Sequence, residues 1–229
     1  MNRREFENRL DLAKALAEAV AADIAADLEA NGTAAIAVSG GTTPAKFFAA
    51  LGKRKEIAWD KVIVTLVDER WVPETSDRSN ANLVNTTMLQ GPAATARFLP
   101  LYSGGTEPDQ AAVARTNASL GGLPEQFAAV VLGMGSDGHT ASFFPGGDTL
   151  REALTSKGPA LAINAPGAGE PRMTLTLPRL LKSRALYLHI EGEEKAGVLE
   201  TALGEGPETD MPIRAVLRAD HSVSLFWCP

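Results

Sequence analysis

Residues 34 to 44 read Ala34-Ala35-Ile36-Ala37-Val38-Ser39-Gly40-Gly41-Thr42-Thr43-Pro44, an apolar run that gives way at once to glycines, hydroxyls and a proline. Five apolar residues with no polar alternation predict a short strand buried on both faces. Pro44 suits the first position of a helix, where its missing N–H costs nothing, and the helical pattern that follows covers about 44 to 52. The stretch therefore reads as strand, tight turn, helix. A strand apolar on both faces needs cover above and below, which places the chain in the α/β class.

Upstream, Phe6, Leu10, Ala13, Leu16, Val20, Ile24 and Leu28 recur every three or four residues, predicting one amphipathic helix over residues 3 to 30 that stops at Asn31-Gly32. Downstream, Val62 to Val67 and Ala128 to Leu132 are further continuous apolar runs, read as central strands. Helical patterns lie between them at about 80 to 89, with Ser79 as N-cap, and 108 to 121. Later strands are expected at 160 to 164, 172 to 177, 185 to 190 and 222 to 226, with helices near 178 to 183 and 193 to 203. Strands alternating with helices imply parallel pairing and right-handed crossovers. No linker or repeat interrupts the pattern, so residues 1 to 229 are read as a single domain.

Composition narrows the function. The 229 residues are 45% hydrophobic and 22% charged, ordinary for a compact domain, so wholesale disorder is not expected. Lys and Arg number 22 against 28 Asp and Glu, a net charge of -6, which offers no overall positive field for nucleic acid or anionic lipid. An anionic ligand would have to be held locally. Cys228 is the only cysteine, and no Cys/His cluster has metal-ligand spacing, so no disulfide, structural metal or other cofactor is expected. Charges interrupt every apolar run near the N-terminus, which reads as neither a secretory leader nor a membrane span. The cytoplasm is the expected location, and Asn-x-Ser/Thr matches at Asn31, Asn85 and Asn117 are set aside.

Parallel strands gather their chemistry at the carboxyl ends. Three strands here run into unusual polar segments: Ser39 to Pro44, Asp68-Glu69-Arg70-Trp71, and Gly133-Met134-Gly135-Ser136-Asp137-Gly138-His139. The first offers glycines for close approach, hydroxyl donors and free N–H groups at a helix start, a setting for phosphate, although Thr42 or Thr43 could simply cap the helix. It lacks a P-loop lysine. The third satisfies the spacing of a dinucleotide fingerprint, but Pro145 denies it the required helix and residues 157 to 159 are Lys-Gly-Pro where an acid should end a second strand. What it does supply is His139, able to exchange a proton near neutral pH, two residues after a carboxylate able to orient it. Asp68 and Arg70 read either as a strand-end ion pair or as a hydroxyl-binding acid and an oxyanion-binding cation. Arg172, opening a strand, and Lys195, in the first turn of a helix, are candidate anion contacts. His189 and His221 lack such a setting and are read as structural or exposed.

Together the segments SGGTTP (39–44), VDERWVP (67–73), SNANL (79–83), LGMGSDGHTASFFP (132–145), RMTLTLP (172–178) and GEEKA (192–196) are recognisable. The chain resembles the 6-phosphogluconolactonases, within the wider group that includes glucosamine-6-phosphate deaminases. The resemblance implies a Rossmann-like three-layer sandwich with a mostly parallel central sheet flanked by helices, and hydrolysis of a sugar-phosphate lactone. It also implies His139 as general base and Asp68 and Arg70 in the active site; the neighbouring carboxylate considered for orienting the imidazole, from the residues themselves, is Asp137. Ser39, Gly40, Gly41, Thr42 and Thr43 would cradle the phosphate, with Arg172 and Lys195 as basic contacts. The expected partner is a small-molecule lactone rather than nucleic acid or membrane, and the expected state a monomer or weak homodimer. Deaminases of the group carry a glutamate before the proline where this chain has Phe144, which favours the lactonase branch. A deaminase or isomerase, and a non-catalytic sugar-phosphate sensor, are the alternatives.

Overall fold

A computed structural model describes residues 1–229. In chain order the elements are β1 (Asn2–Glu5), α1 (Arg9–Asn31), β2 (Ala34–Val38), α2 (Ala45–Gly52), β3 (Val62–Leu66), β4 (Asp68–Arg70), α3 (Asn80–Thr87), β5 (Arg97–Leu99), α4 (Gln110–Leu120) and β6 (Phe127–Leu132). There follow α5 (Leu150–Thr155), β7 (Ala160–Ile163), β8 (Arg172–Leu175), α6 (Leu177–Leu180), β9 (Ser183–Glu191), α7 (Glu193–Leu203), α8 (Ile213–Leu217) and β10 (Val223–Cys228).

Seven strands form the main sheet in the order β1-β10-β9-β6-β2-β3-β5, every pair parallel. Each residue of β2 and β6 is buried, so the centre of the sheet is covered on both faces by the helical layers. From β2 the chain winds outward through β3 to β5, then returns to the other side of β2 and winds through β6, β9 and β10. The direction reverses between β2 and β6, and it is at such a reversal that loops diverge and leave a crevice at the carboxyl edge.

The first helix begins later than its apolar spacing suggests. Asn8 caps it, its Oδ1 accepting from the N–H groups of Leu10 and Asp11 at 3.0 Å each. Gly32 closes it at φ 73°, in the left-handed region, its N–H bonded to the Leu28 carbonyl. Leu12, Leu16, Val20 and Ile24 are fully buried in the interval. The expected helical residues 3 to 8 are a correction: residues 2 to 5 pair with Ser224 to Trp227 as an edge strand, and Phe6 stacks on Phe226 with centroids 5.5 Å apart. The Phe6 spacing fits a helical stripe by chance, while the cap at Asn8 decides where the helix starts. The carboxyl end of β10 also holds the start of α7, since Gly192 N–H donates to the Cys228 carbonyl at 2.8 Å and Trp227 Nε1 donates to the Gly192 carbonyl at 3.2 Å.

A second sheet, β4-β8-β7, is antiparallel throughout. It converts the Asp68 to Arg70 segment, read from sequence as polar residues after a strand, into a strand of its own, and it withdraws the strands at 160 and 172 from the main sheet. No helix opens at Gly138, and the next one starts at Leu150. No helix is long and apolar enough to cross a membrane.

Candidate active site

At the carboxyl ends of β2 and β6 the two loops are stitched together by one side chain. Ser39 Oγ donates to the Val131 carbonyl at 3.0 Å and accepts from Gly133 N–H at 2.9 Å. The cleft beside this junction has a volume of about 270 Å3. Ser39, Gly40, Gly41, Thr42 and Thr43 form one wall, and Asp68, Arg70, His139, Arg172 and Lys195 also line it. Asp137 is outside the lining and reaches the cleft only through His139.

The glycine loop works by space and by exposed amides. Gly41 has φ 89°, a conformation that L side chains rarely adopt. A Cβ on Gly40 would run into the Asn80 amide, so only glycine lets the loop lie against α3. No side chain caps α2, so the alternative in which Thr42 or Thr43 merely caps the helix does not hold. Pro44 stands at the N-cap, one residue before the position assigned to it. The amide dipoles at the start of α2 are left for a ligand.

His139 is held at three points. Its backbone N–H donates to Asp137 Oδ1 at 3.0 Å, its Nδ1 lies 2.5 Å from the same oxygen, and its ring stacks on Phe144 at 4.2 Å with an interplanar angle of 29°. The hydrogen bond from His139 holds the Asp137 carboxyl below its usual range, against an opposing effect of burial. A carboxylate at Nδ1 places the ring proton there and leaves the Nε2 lone pair available. The His139 side chain is 30% exposed, open enough to meet a substrate. Gly135 supplies the room, because a Cβ there would collide with the imidazole.

On the second sheet, Arg70 and Arg172 are cross-strand partners. Asp68 pairs with neither neighbour in sequence: its Oδ2 accepts from Ser142 Oγ at 2.6 Å and lies 3.9 Å from Arg172 Nη1. The ion pair with Arg70 considered from sequence is absent, and Arg70 Nη1 instead donates to the Arg78 carbonyl. Burial pushes the Arg172 guanidinium below its usual value, with Asp68 opposing. Two cations facing each other across a strand pair repel unless an anion lies between or beside them. Burial likewise lowers Lys195, with Glu191 and Glu194 opposing.

A family model described as glucosamine-6-phosphate isomerases/6-phosphogluconolactonase matches residues 7–227. The chain belongs to this family. A 6-phosphogluconolactonase from Mesorhizobium japonicum is 52% identical over 227 residues, covering 98% of this chain and 94% of the relative. One from Rhizobium meliloti is 50% identical over 227 residues, covering 98% and 97%. The crystal structure of a 6-phosphogluconolactonase from Shewanella baltica superposes with a TM-score of 0.97 at 38% identity, over 100% of this chain and 98% of that one.

In this glucosamine-6-phosphate isomerase/6-phosphogluconolactonase family member, four cleft or near-cleft residues escaped the sequence reading. Asn80 lines the cleft and its Nδ2 donates to the Asp68 carbonyl at 2.9 Å. Glu69 is fully buried, accepting from Arg70 N–H and Asn80 N–H on Oε1 and from Ser79 Oγ and Ala81 N–H on Oε2. Ser142 is fully buried and ties the His139 loop to Asp68. His189, read as structural or exposed, is 3% exposed and lines the cleft. Glu69, Asn80 and Ser142 lie inside the segments that carry the resemblance but had no role assigned, because their contacts are long-range and leave no local pattern; Ser79 alone was given one, as a cap.

Proposed function

We propose that this chain is a 6-phosphogluconolactonase that hydrolyses 6-phospho-D-glucono-1,5-lactone to 6-phospho-D-gluconate. The observation that carries the reading is a carboxylate-backed imidazole opening onto the same cleft as an uncapped glycine loop, with Lys195 and Arg172 on its walls. Relatives that share half the residues over nearly the whole chain carry that name.

A lactone is a cyclic ester. His139 Nε2 takes a proton from water as its oxygen adds to C1, and the carbonyl oxygen becomes an oxyanion beside Arg70. The C1–O5 bond then breaks and the imidazolium returns its proton to O5. One water is consumed and the product acid ionises in solvent. Asp137 keeps the ring in the right tautomer and stabilises its cationic form. Asp68 takes a sugar hydroxyl. The Ser39 to Thr43 loop, Lys195 and Arg172 grip the phosphate, so that binding energy remote from C1 fixes C1 against the base. Phe144 places an apolar ring against the imidazole, so no second carboxylate is at hand there to relay the protons a deaminase would need. Action as one unit in the cytoplasm, as a monomer or weak homodimer, accompanies this reading.

The test is acid release from freshly generated 6-phosphoglucono-δ-lactone beside its unphosphorylated analogue. A preference of about 100-fold or more in kcat/KM for the phosphorylated lactone is expected, from charge-assisted phosphate contacts. Equal rates, or ammonia release from glucosamine 6-phosphate without lactone hydrolysis, would overturn the proposal.

A further inference from the structure

His189 is the one buried titratable side chain on the cleft that the mechanism above leaves idle. It sits near the end of β9, 3% exposed, with its ring edge against Phe47 of α2 at a centroid distance of 6.4 Å. Its Nε2 lies 3.2 Å from Glu191 Oε1, and its Nδ1 makes no hydrogen bond within the chain. Nδ1 is not sealed in the interior, so its unused hydrogen-bonding position opens where the ring meets the cleft. The ring lines the cleft on which the Ser39 to Thr43 loop and Lys195 also stand. We infer that His189 is a substrate-binding residue, its Nδ1 donating to the phosphate held between the glycine loop and Lys195.

The inference rests on the lactonase reading for the identity of the ligand and then adds a proton to it. Glu191 accepts at Nε2, so the neutral ring carries its hydrogen there and turns a bare lone pair at Nδ1 toward the cleft. A phosphate oxygen cannot be bound by a lone pair. Only the imidazolium offers donors to both Glu191 and the phosphate, so binding of the dianion takes up a proton at His189. The charged groups gathered around it support this. Glu191 comes from its own strand, Arg9 of α1 reaches Glu191 at 3.2 Å, and Lys195 of α7 also feels Glu191. β10 contributes the Cys228 thiol, and α2 contributes only the Phe47 ring. The two carboxylate oxygens of Glu191 are thus divided between His189 and Arg9, leaving one of them facing the imidazole as its counter-ion.

The experiment compares wild type with His189→Leu and His189→Asn. Binding of 6-phosphogluconate is followed by calorimetry at pH 7.5 in two buffers of different ionisation enthalpy, and lactone hydrolysis is measured with and without the 6-phosphate. Wild type is expected to take up a fraction of a proton on binding, and both variants none. His189→Leu should weaken 6-phosphogluconate and raise KM by about 10- to 100-fold, the range of a hydrogen bond to a charged group. His189→Asn, with an amide nitrogen near the Nδ1 position, should recover part of that loss. The ratio of kcat/KM for phosphorylated over unphosphorylated lactone should fall at least tenfold in His189→Leu, whereas a merely structural defect lowers both values and leaves the ratio alone. No proton uptake by wild type, or an unchanged ratio in His189→Leu, overturns the inference. If wild type binds 6-phosphogluconate yet hydrolyses neither lactone, the lactonase reading fails while the calorimetry still decides His189.

Discussion

Residue by residue, the proposed mechanism divides the cleft into groups that would act on the reacting carbon and groups that make room for them. Replacing His139 by Ala should lower kcat by about 10²- to 10⁴-fold, the usual worth of a positioned general base, while 6-phosphogluconate still binds within a few-fold of wild type. Gly135→Ala should do much the same without removing any functional group, because the added methyl collides with the imidazole and turns it away from the water; stopped-assay kinetics beside calorimetric binding separates the two effects. A third expectation concerns Lys195. Burial depresses its pKa, so its charge is complete below that depressed value and is lost as pH rises through it. Affinity for 6-phosphogluconate should therefore weaken before the free-lysine range of about 10.4 is reached, and Lys195→Arg should carry tight binding to higher pH. Ser39, His139 and Lys195 were legible in the sequence because each stands at a strand end or helix start. Glu69, Asn80, Ser142 and His189 were not, because their importance arises from partners tens of residues away.

At the level of elements, the short strand β4 depends on a carboxylate hidden behind it. Glu69 accepts four hydrogen bonds, one from Arg70 and three from Ser79, Asn80 and Ala81 at the beginning of α3. Burial still pushes its pKa above the ordinary value. All four partners donate, so Glu69→Gln must point an N–H at a donor and should cost about 1–3 kcal/mol of stability in urea unfolding. It should also loosen Asn80 and with it Asp68, lowering kcat/KM while Glu69 itself touches no substrate. Elements with continuous apolar runs, β2, β3 and β6, could be read directly, since a strand covered on both faces leaves no other explanation for such runs. The three residues Asp68-Glu69-Arg70 carry the composition of a loop, and only antiparallel pairing to Met173 and its neighbours makes them a strand. The second sheet was invisible for that reason.

For the whole molecule, the order of the strands determines where chemistry is possible. The reversal between β2 and β6 opens the carboxyl edge there, and every polar segment singled out by sequence falls along that edge or on the small sheet facing it. The reading of residues 3 to 8 as helix had no bearing on the cleft, but it hid the closing of the sheet by β1. Deleting residues 1 to 6 would remove the Phe6 stack on Phe226 and bare the edge of β10, costing about 0.5–1.5 kcal/mol from the aromatic pair alone. Thermal unfolding should fall, and the newly exposed strand should promote self-association detectable by light scattering.

Because β1 and β10 run in the same direction, the two ends of the polypeptide emerge from opposite rims. Residue 229 leaves beside the turn that carries Lys195, whose backbone is pinned by Cys228 and Trp227. A surface tether or affinity handle grafted at Met1 would hang from the underside and leave the mouth of the cleft open, while the same handle at Pro229 would tug on the start of α7, where Lys195 stands.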